Sequence, residues 1–229
     1  MTEEIAFIAG ASRGLGLGLT RELLQRNWSV IATERPNRHS PGLADLARTQ
    51  PARLRIETLD INEPGTVEHA NARIGHHVLD LLFVNAGVNQ HTAIEHLSRE
   101  DFVATMITNA LSPVQLAIAL KDKVKDRGTI GFMTSRMGSI TEMDAGGDAA
   151  YRASKAALNA LTRCFFAELC GRGLTVLSFH PGWVRTDMGG PQAPVSIEAS
   201  ARGIVDIVEF ERGSGGHRFV DYQGRTIPW

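Results

Sequence analysis

Cysteine, charge of one sign and long apolar runs are all scarce in this 229-residue sequence, and each shortage excludes a class of protein. Its two cysteines, Cys164 and Cys170, lie six apart in a segment of helical period, where their side chains face different ways and cannot bridge. They read as core thiols in a reducing compartment. Basic residues number 24 and acidic ones 25, a formal net charge of −1. No general field therefore draws nucleic acid or an anionic membrane surface, and neither partner is expected. The acidic start, Met1 to Glu4, runs into the apolar stretch Ile5 to Ala9, which is too brief for a signal peptide or a spanning helix. A cytoplasmic location is expected. His39, His69, His76, His77, His91 and His96 have no carboxylate or cysteine partner at metal-ligand spacing, so they read as surface residues and no metal is expected. Repeats, low-complexity tracts and linkers rich in Pro, Gly or Ser are also missing, and the chain reads as a single domain, 1–229.

What the sequence does have is a regular rhythm. Hydrophobic residues make up 43% of it, enough for a sizeable core. Apolar runs with the look of buried strands fall at Ile5 to Ala9, Ser29 to Thr33, Leu54 to Leu59, Leu79 to Val84, Thr129 to Met133 and Thr175 to His180, with a seventh near Arg218 to Asp221. Between them the period becomes helical: Leu15 to Arg26, Pro64 to Ile74, Arg99 to Leu120, Ala149 to Leu169 and Ser196 to Phe210. Continuous apolar strands alternating with amphipathic helices imply an α/β fold whose parallel sheet is covered on both faces, because each right-handed crossover lays a helix on the sheet. The expected architecture is Rossmann-type and doubly wound, a mainly parallel seven-stranded sheet in the order 3-2-1-4-5-6-7. The loop Gly189 to Ser196 follows the sixth strand's C-terminal end, the edge where open α/β sheets bind ligands, and is placed to cover a substrate.

The first strand leads directly into Gly10-Ala11-Ser12-Arg13-Gly14-Leu15-Gly16, and a helix begins within that run. Glycines permit a tight turn and close backbone approach, and the free N–H groups of a helix N-terminus favour an anion. A pyrophosphate suits the position. The spacing G-x-x-x-G-x-G differs from the common dinucleotide fingerprint G-x-G-x-x-G, but the placement in the first βα unit is that of a dinucleotide turn.

With this spacing the sequence resembles the short-chain dehydrogenase/reductases over nearly its whole length, and within them a C-factor-like branch that includes small carbonyl reductases. Longer strings carry the branch resemblance: Ser135 to Ile140, His180 to Val184 with Thr186-Asp187-Met188, and Gly224 to Trp229. The resemblance implies that Asp60 and Ile61 contact adenine and that Asn85-Ala86-Gly87 forms a turn beside the cofactor. It implies that Asn109, Ser135, Tyr151 and Lys155 are catalytic, Tyr151 and Lys155 also touching the cofactor, that Pro181, Gly182 and Val184 bind the cofactor, and that Thr186 contacts the nicotinamide. Ala9 departs from the family, which usually carries threonine before the first glycine; the lost hydroxyl should loosen the turn without abolishing binding.

The chemistry of these residues fits a hydride transfer. Carbonyl reduction needs a hydride at carbon and a proton at oxygen, and an acid works best with a pKa near the working pH. A free tyrosine, at about 10, is too weak. Lys155 is four residues after Tyr151 on one helix face, and an ammonium there is expected to lower the phenol's pKa. With two tyrosines and four lysines in the chain, that spacing is a rare coincidence. Ser135 is expected to hold the substrate oxygen, and the family's proton relay implies that Asn109 orders a water against Lys155.

Cofactor choice turns on the end of the second strand, where an acid bonds the ribose 2′-hydroxyl of NAD and a base accepts the 2′-phosphate of NADP. Glu34 sends the first signal, Arg35 and Arg13 the second. Two guanidinium groups outweigh one carboxylate if Glu34 turns away, so NADP(H) is the expected cofactor, with NAD(H) the alternative. A small carbonyl or alcohol substrate is expected, partly apolar if Met137, Trp183 and Met188 line its mouth. Trp183 and Trp229 read equally as cleft walls or as core. Family resemblance implies a homodimer or homotetramer through Arg99 to Leu120 and Ala149 to Leu169. A second functional reading is a dinucleotide-binding signalling protein of the C-factor type.

Overall fold

The apolar runs become strands. The computed structural model describes residues 3–144, 146–169 and 171–229. Its strands are β1 (Ile5–Ala9), β2 (Ser29–Glu34), β3 (Leu54–Thr58), β4 (Leu79–Val84), β5 (Val124–Met133), β6 (Thr175–His180) and β7 (Gly216–Asp221). They form one sheet in the order β3-β2-β1-β4-β5-β6-β7, parallel at every pairing. This is the expected Rossmann-type sheet. Its order reverses between β1 and β4, and the ligand crevice of such sheets lies outside the strand ends at that switch point.

Side-chain alternation divides the core into two layers. Phe7, Leu82 and Val84 face one side with Val114, Leu116, Leu158 and Phe165, which come from the helices α5 (Ser112–Leu120) and α6 (Ala149–Glu168). Ala6, Ile8, Leu81 and Phe83 face the other, packed with Leu19, Leu23, Leu43, Ile204 and Val208 from α1 (Gly14–Gln25), α2 (Pro41–Thr49) and α7 (Ile197–Phe210). The helix α3 (Pro64–Ile74) joins the first layer through Ala70 and Ile74. Because the central strands are buried on both faces, most positions along them favour apolar residues, which is why they stood out as apolar runs.

Four details differ from the sequence reading. The helix α2 is additional: it opens with Pro41-Gly42 and fully buries only Leu43, too little periodicity to mark it. Strand β5 starts at Val124, five residues early, through a polar stretch with Arg127 in left-handed backbone (φ 62°) and a register shift against β4. The long helix expected over Arg99 to Leu120 is α4 (Arg99–Met106) and α5 joined by a π-helical turn, Ile107–Leu111. Length and composition would let Arg99–Lys123 cross a membrane; half of its most apolar window is buried inside the protein, with contacts to α3, α6, β4 and β5. Finally, Cys164 is exposed rather than a core thiol, since α6 turns that face to solvent while Phe165 points inward. Cys170 lies outside the described residues.

Candidate active site

Every strand that enters the site delivers its residues at its C-terminal end. The turn after β1 is shaped by Gly10 and Gly14, both in left-handed backbone (φ 82° and 54°), and by the tight approach at Gly16. A Cβ at Gly16 would stand 2.0 Å from the Gly10 carbonyl oxygen and 2.8 Å from Asn85 Nδ2. The helix α1 then starts without any side-chain cap and without an acidic residue in its first turn. Uncapped N–H groups at the positive end of a helix, reached over glycines, fit a dinucleotide pyrophosphate. Arg13 reaches Asp187 Oδ2 at 2.5 Å, and both side chains are exposed, so the pair is weak and open to exchange for a phosphate.

Hydrogen bonds from Thr33 and Asn85 brace this turn. Thr33 Oγ1 on β2 accepts the Gly10 N–H at 3.0 Å, and the Thr33 carbonyl accepts that of Ala11 at 2.9 Å. A hydroxyl from the neighbouring strand thus holds the turn where Ala9 supplies none. Asn85 Nδ2 donates to the Gly10 carbonyl at 2.9 Å, tying the end of β4 to the same turn. Ala86 packs on Gly10, where an added Cβ would come 3.1 Å from the Ala86 nitrogen.

At the end of β2 the two cofactor signals separate. Glu34 is only 11% exposed, and its carboxylate accepts the Ser40 N–H at 2.7 Å and lies 3.2 Å from His39 Nδ1. It serves the start of α2, while Arg35 is exposed. Ser40 Oγ in turn donates to the Ser12 carbonyl, joining α2 to the glycine turn. After β3, Asp60 accepts the Asn62 N–H at 3.0 Å, and Ile61 is buried beneath it. After β6, Thr186 lies 3.4 Å from where a Cβ on Gly14 would stand and so borders the glycine turn, while Gly182 packs against Tyr222 and Val195. Val184 pairs with Val195, which holds the 189–196 loop to this segment.

The four expected catalytic residues converge behind it. Asn109 is buried in the π turn; its Oδ1 accepts the Val88 N–H at 2.8 Å, and its Nδ2 donates to the Val88 carbonyl at 2.8 Å and to Ser154 Oγ at 3.0 Å. Such turns recur at functional positions because they break the regular hydrogen-bond ladder. A Cβ on Gly87 would meet Asn109 Oδ1 at 3.3 Å and Lys155 Nζ at 3.4 Å, which puts amide and ammonium on either side of one glycine. Ser135 follows β5 and accepts the Met137 N–H at 3.1 Å. Tyr151 and Lys155 stand one turn apart on α6, with Lys155 Nζ 5.6 Å from the tyrosine ring centre and donating to the Met133 carbonyl at 2.9 Å.

The electrostatics correct one expectation. Burial pushes the Tyr151 phenol up to about 12, against the pull of a hydrogen bond with Ser135, and the Asp148 carboxylate adds to the rise. Burial also pushes Lys155 down to about 8. The ammonium therefore loses its proton well before the phenol could ionise, and Lys155 does not bring Tyr151 below its ordinary value in this cleft. Of the apolar mouth residues, Met137 is half-buried, whereas Trp183 and Met188 are exposed. Trp229 is part-exposed and packs on His217 and Phe219, with ring centres 4.7 and 5.3 Å away.

The chain is similar in sequence and fold to known proteins. A family model described as short chain dehydrogenase matches residues 4–194. The chain belongs to the short-chain dehydrogenase/reductase family. It is an NAD(P)-dependent oxidoreductase. A Burkholderia multivorans protein assigned to the short-chain dehydrogenases/reductases and solved with bound NADP is 44% identical over the full length of both chains, with a TM-score of 0.96. A carbonyl reductase from Pseudomonas aeruginosa PAO1 in complex with NADP is 40% identical over the full length of both, with a TM-score of 0.92. The C-signal of Myxococcus xanthus is 37% identical over 154 residues, 66% of this chain and 93% of that protein.

Proposed function

We propose that this oxidoreductase uses NADP(H) to reduce a small carbonyl compound to a secondary alcohol, with Tyr151, Lys155, Ser135 and Asn109 as its active site. The observation that carries the reading is the convergence of a protonated Tyr151, hydrogen-bonded to Ser135, with the uncapped glycine turn at the same edge of the sheet. Bound NADPH would supply the hydride to the carbonyl carbon. Ser135 holds the carbonyl oxygen beside the phenol, and Tyr151 gives that oxygen its proton as negative charge builds there. A phenol that keeps its proton throughout the neutral range is equipped to donate it to the carbonyl oxygen. Lys155 places a charge beside the ring, and Asn109 fixes the Val88 backbone at the cleft floor.

NADP(H) is favoured over NAD(H) because Glu34 is committed to Ser40 and His39, which leaves Arg35 to meet a 2′-phosphate. The NADP-bound Burkholderia and Pseudomonas proteins support the same choice. Calorimetric titration tests it: NADPH should bind at least tenfold tighter than NADH, and Arg35→Ala should erase the preference. Equal affinity for both, or binding of neither, would sink this reading. Assembly is proposed through α4 and α5, where Val103, Ile107, Leu111 and Ile118 leave an exposed apolar stripe; sedimentation as a monomer alone would exclude it. A signalling role is favoured by the similarity to C-signal, and it separates from the metabolic reading if the Tyr151→Phe protein keeps its cellular effect without turnover.

A further inference from the structure

Asp148 adopts a conformation that its position does not favour. It stands at the N-cap of α6, where an aspartate ordinarily accepts an N–H of the first turn and stabilises the helix by about 1 kcal/mol. Here it makes no such bond, and its backbone is left-handed, at φ 49° and ψ 39°. Its carboxylate points across the cleft instead, with Oδ1 3.0 Å from His91 Nδ1. His91, in the loop after β4, is itself left-handed at φ 51°, and its N–H donates to Asn89 Oδ1 at 3.1 Å. Two non-glycine residues on separate segments thus hold an unfavoured backbone while they place one charge over the mouth of the cleft. Backbone strain of this kind persists where the surroundings over-determine it, and it concentrates at sites that use it.

The charge lies beside Tyr151. His91, Asp148, Ala150 and Tyr151 line the same small, open cleft. Asp148 stands at the N-cap of α6, three residues before Tyr151, and its carboxylate is 25% exposed. It is near enough to help raise the Tyr151 phenol. Left alone, the positive end of a helix would welcome an anion at this spot, with roughly half an elementary charge; a full carboxylate charge reverses that preference. Neighbouring charges are engaged elsewhere: Glu142 pairs with Arg136 at 3.1 Å, and Arg152 Nε donates to the Gly147 carbonyl at 3.0 Å.

We propose that Asp148, clasped by His91, is a specificity-determining residue that turns the site away from carbonyl compounds bearing an anionic group next to the reacting carbon and toward neutral ones. The inference rests on the carbonyl-reductase reading and deepens it by naming a substrate class.

A matched pair of substrates tests it: ethyl pyruvate, a neutral keto ester, and pyruvate, its keto acid. Their kcat/KM values are measured at saturating NADPH for the wild-type protein and for Asp148→Asn, a near-isosteric change that tolerates left-handed backbone. The wild type should prefer the ester, and the ester-to-acid ratio should fall tenfold or more in Asp148→Asn. Any change in Tyr151 acidity acts on both substrates alike and cancels in the ratio. An unchanged or increased ratio overturns the proposal. If circular dichroism shows that Asp148→Asn has not folded, Asp148→Ser removes the charge while retaining a capping hydroxyl, and the same ratio decides. Failure of the wild type to oxidise NADPH with either compound or with any other ketone would instead overturn the carbonyl-reductase reading, and the specificity proposal with it.

Discussion

Replacing Lys155 by methionine should make the protein more stable at neutral pH while destroying its activity. Lys155 is 3% exposed, and burial pushes its pKa down from 10.5 to about 8. At about 1.4 kcal/mol per pH unit, keeping that ammonium charged at pH 7 costs roughly 3 kcal/mol. Methionine fills a similar volume without the charge. Its cost is the lost hydrogen bond to the Met133 carbonyl at 2.9 Å, and a buried acceptor left unpaired costs about 1–2 kcal/mol. The net gain at pH 7 is about 1–2 kcal/mol, seen as a rise in Tm of about 2–4 °C per kcal/mol for a chain of this size. The pH dependence identifies the cause. Lys155 has a folded pKa below its unfolded one, so between about pH 8 and 10.5 the unfolded chain binds the extra proton, and wild-type stability climbs with pH. Lys155→Met lacks that climb, so its advantage should vanish or reverse by pH 10. Tyr151 acts oppositely above pH 10, where its raised phenol makes stability fall with pH up to about 12, so the comparison ends there. Urea unfolding of both proteins from pH 7 to 10 measures the difference directly. A variant no more stable than wild type at pH 7, or a difference that does not change with pH, would refute the reasoning.

Other perturbations follow from single contacts. Gly16→Ala drives a methyl group to 2.0 Å from the Gly10 carbonyl oxygen; overpacking on backbone should cost about 1–3 kcal/mol and weaken NADPH binding by more than tenfold in calorimetry. Thr33→Val removes the acceptor of the Gly10 N–H, about 1 kcal/mol by unfolding, and should raise the Kd for NADPH about fivefold. Asn109→Ala strands the Val88 N–H and carbonyl together, which predicts a loss of about 2–4 kcal/mol in urea unfolding. Alcohol oxidation with NADP+ should accelerate with pH from 7 toward 10, because the required phenolate form of Tyr151 lies high; a flat oxidation profile would assign the base to another group.

The strands were legible because a parallel sheet buries both of its faces, so β1 appears as an unbroken apolar run and β4 and β6 as mainly apolar runs interrupted by single polar residues. The glycine turn and the Tyr151–Lys155 pair were legible because their chemistry depends on short spacings along the chain. What escaped depends on packing between distant segments. Thr33 braces Gly10 from 23 residues away, and His91 meets Asp148 from 57 residues away, with no local pattern to mark either. The π turn at Ile107–Leu111 was hidden because its residues keep the apolar character of the helices it joins. The direction of the Tyr151 shift was misread for a related reason: a neighbouring lysine is visible in the sequence, whereas the burial that depresses that lysine and raises the phenol appears only when the cleft is assembled.

Single-turnover oxidation of bound NADPH by a neutral keto ester, compared between wild type and Tyr151→Phe, tests the central claim most directly. The account predicts that both proteins bind NADPH and that the wild type alone consumes it at an appreciable rate, with the saturated Tyr151→Phe rate down by at least a hundredfold. Comparable rates in the two proteins would contradict the assignment of Tyr151 as the proton donor.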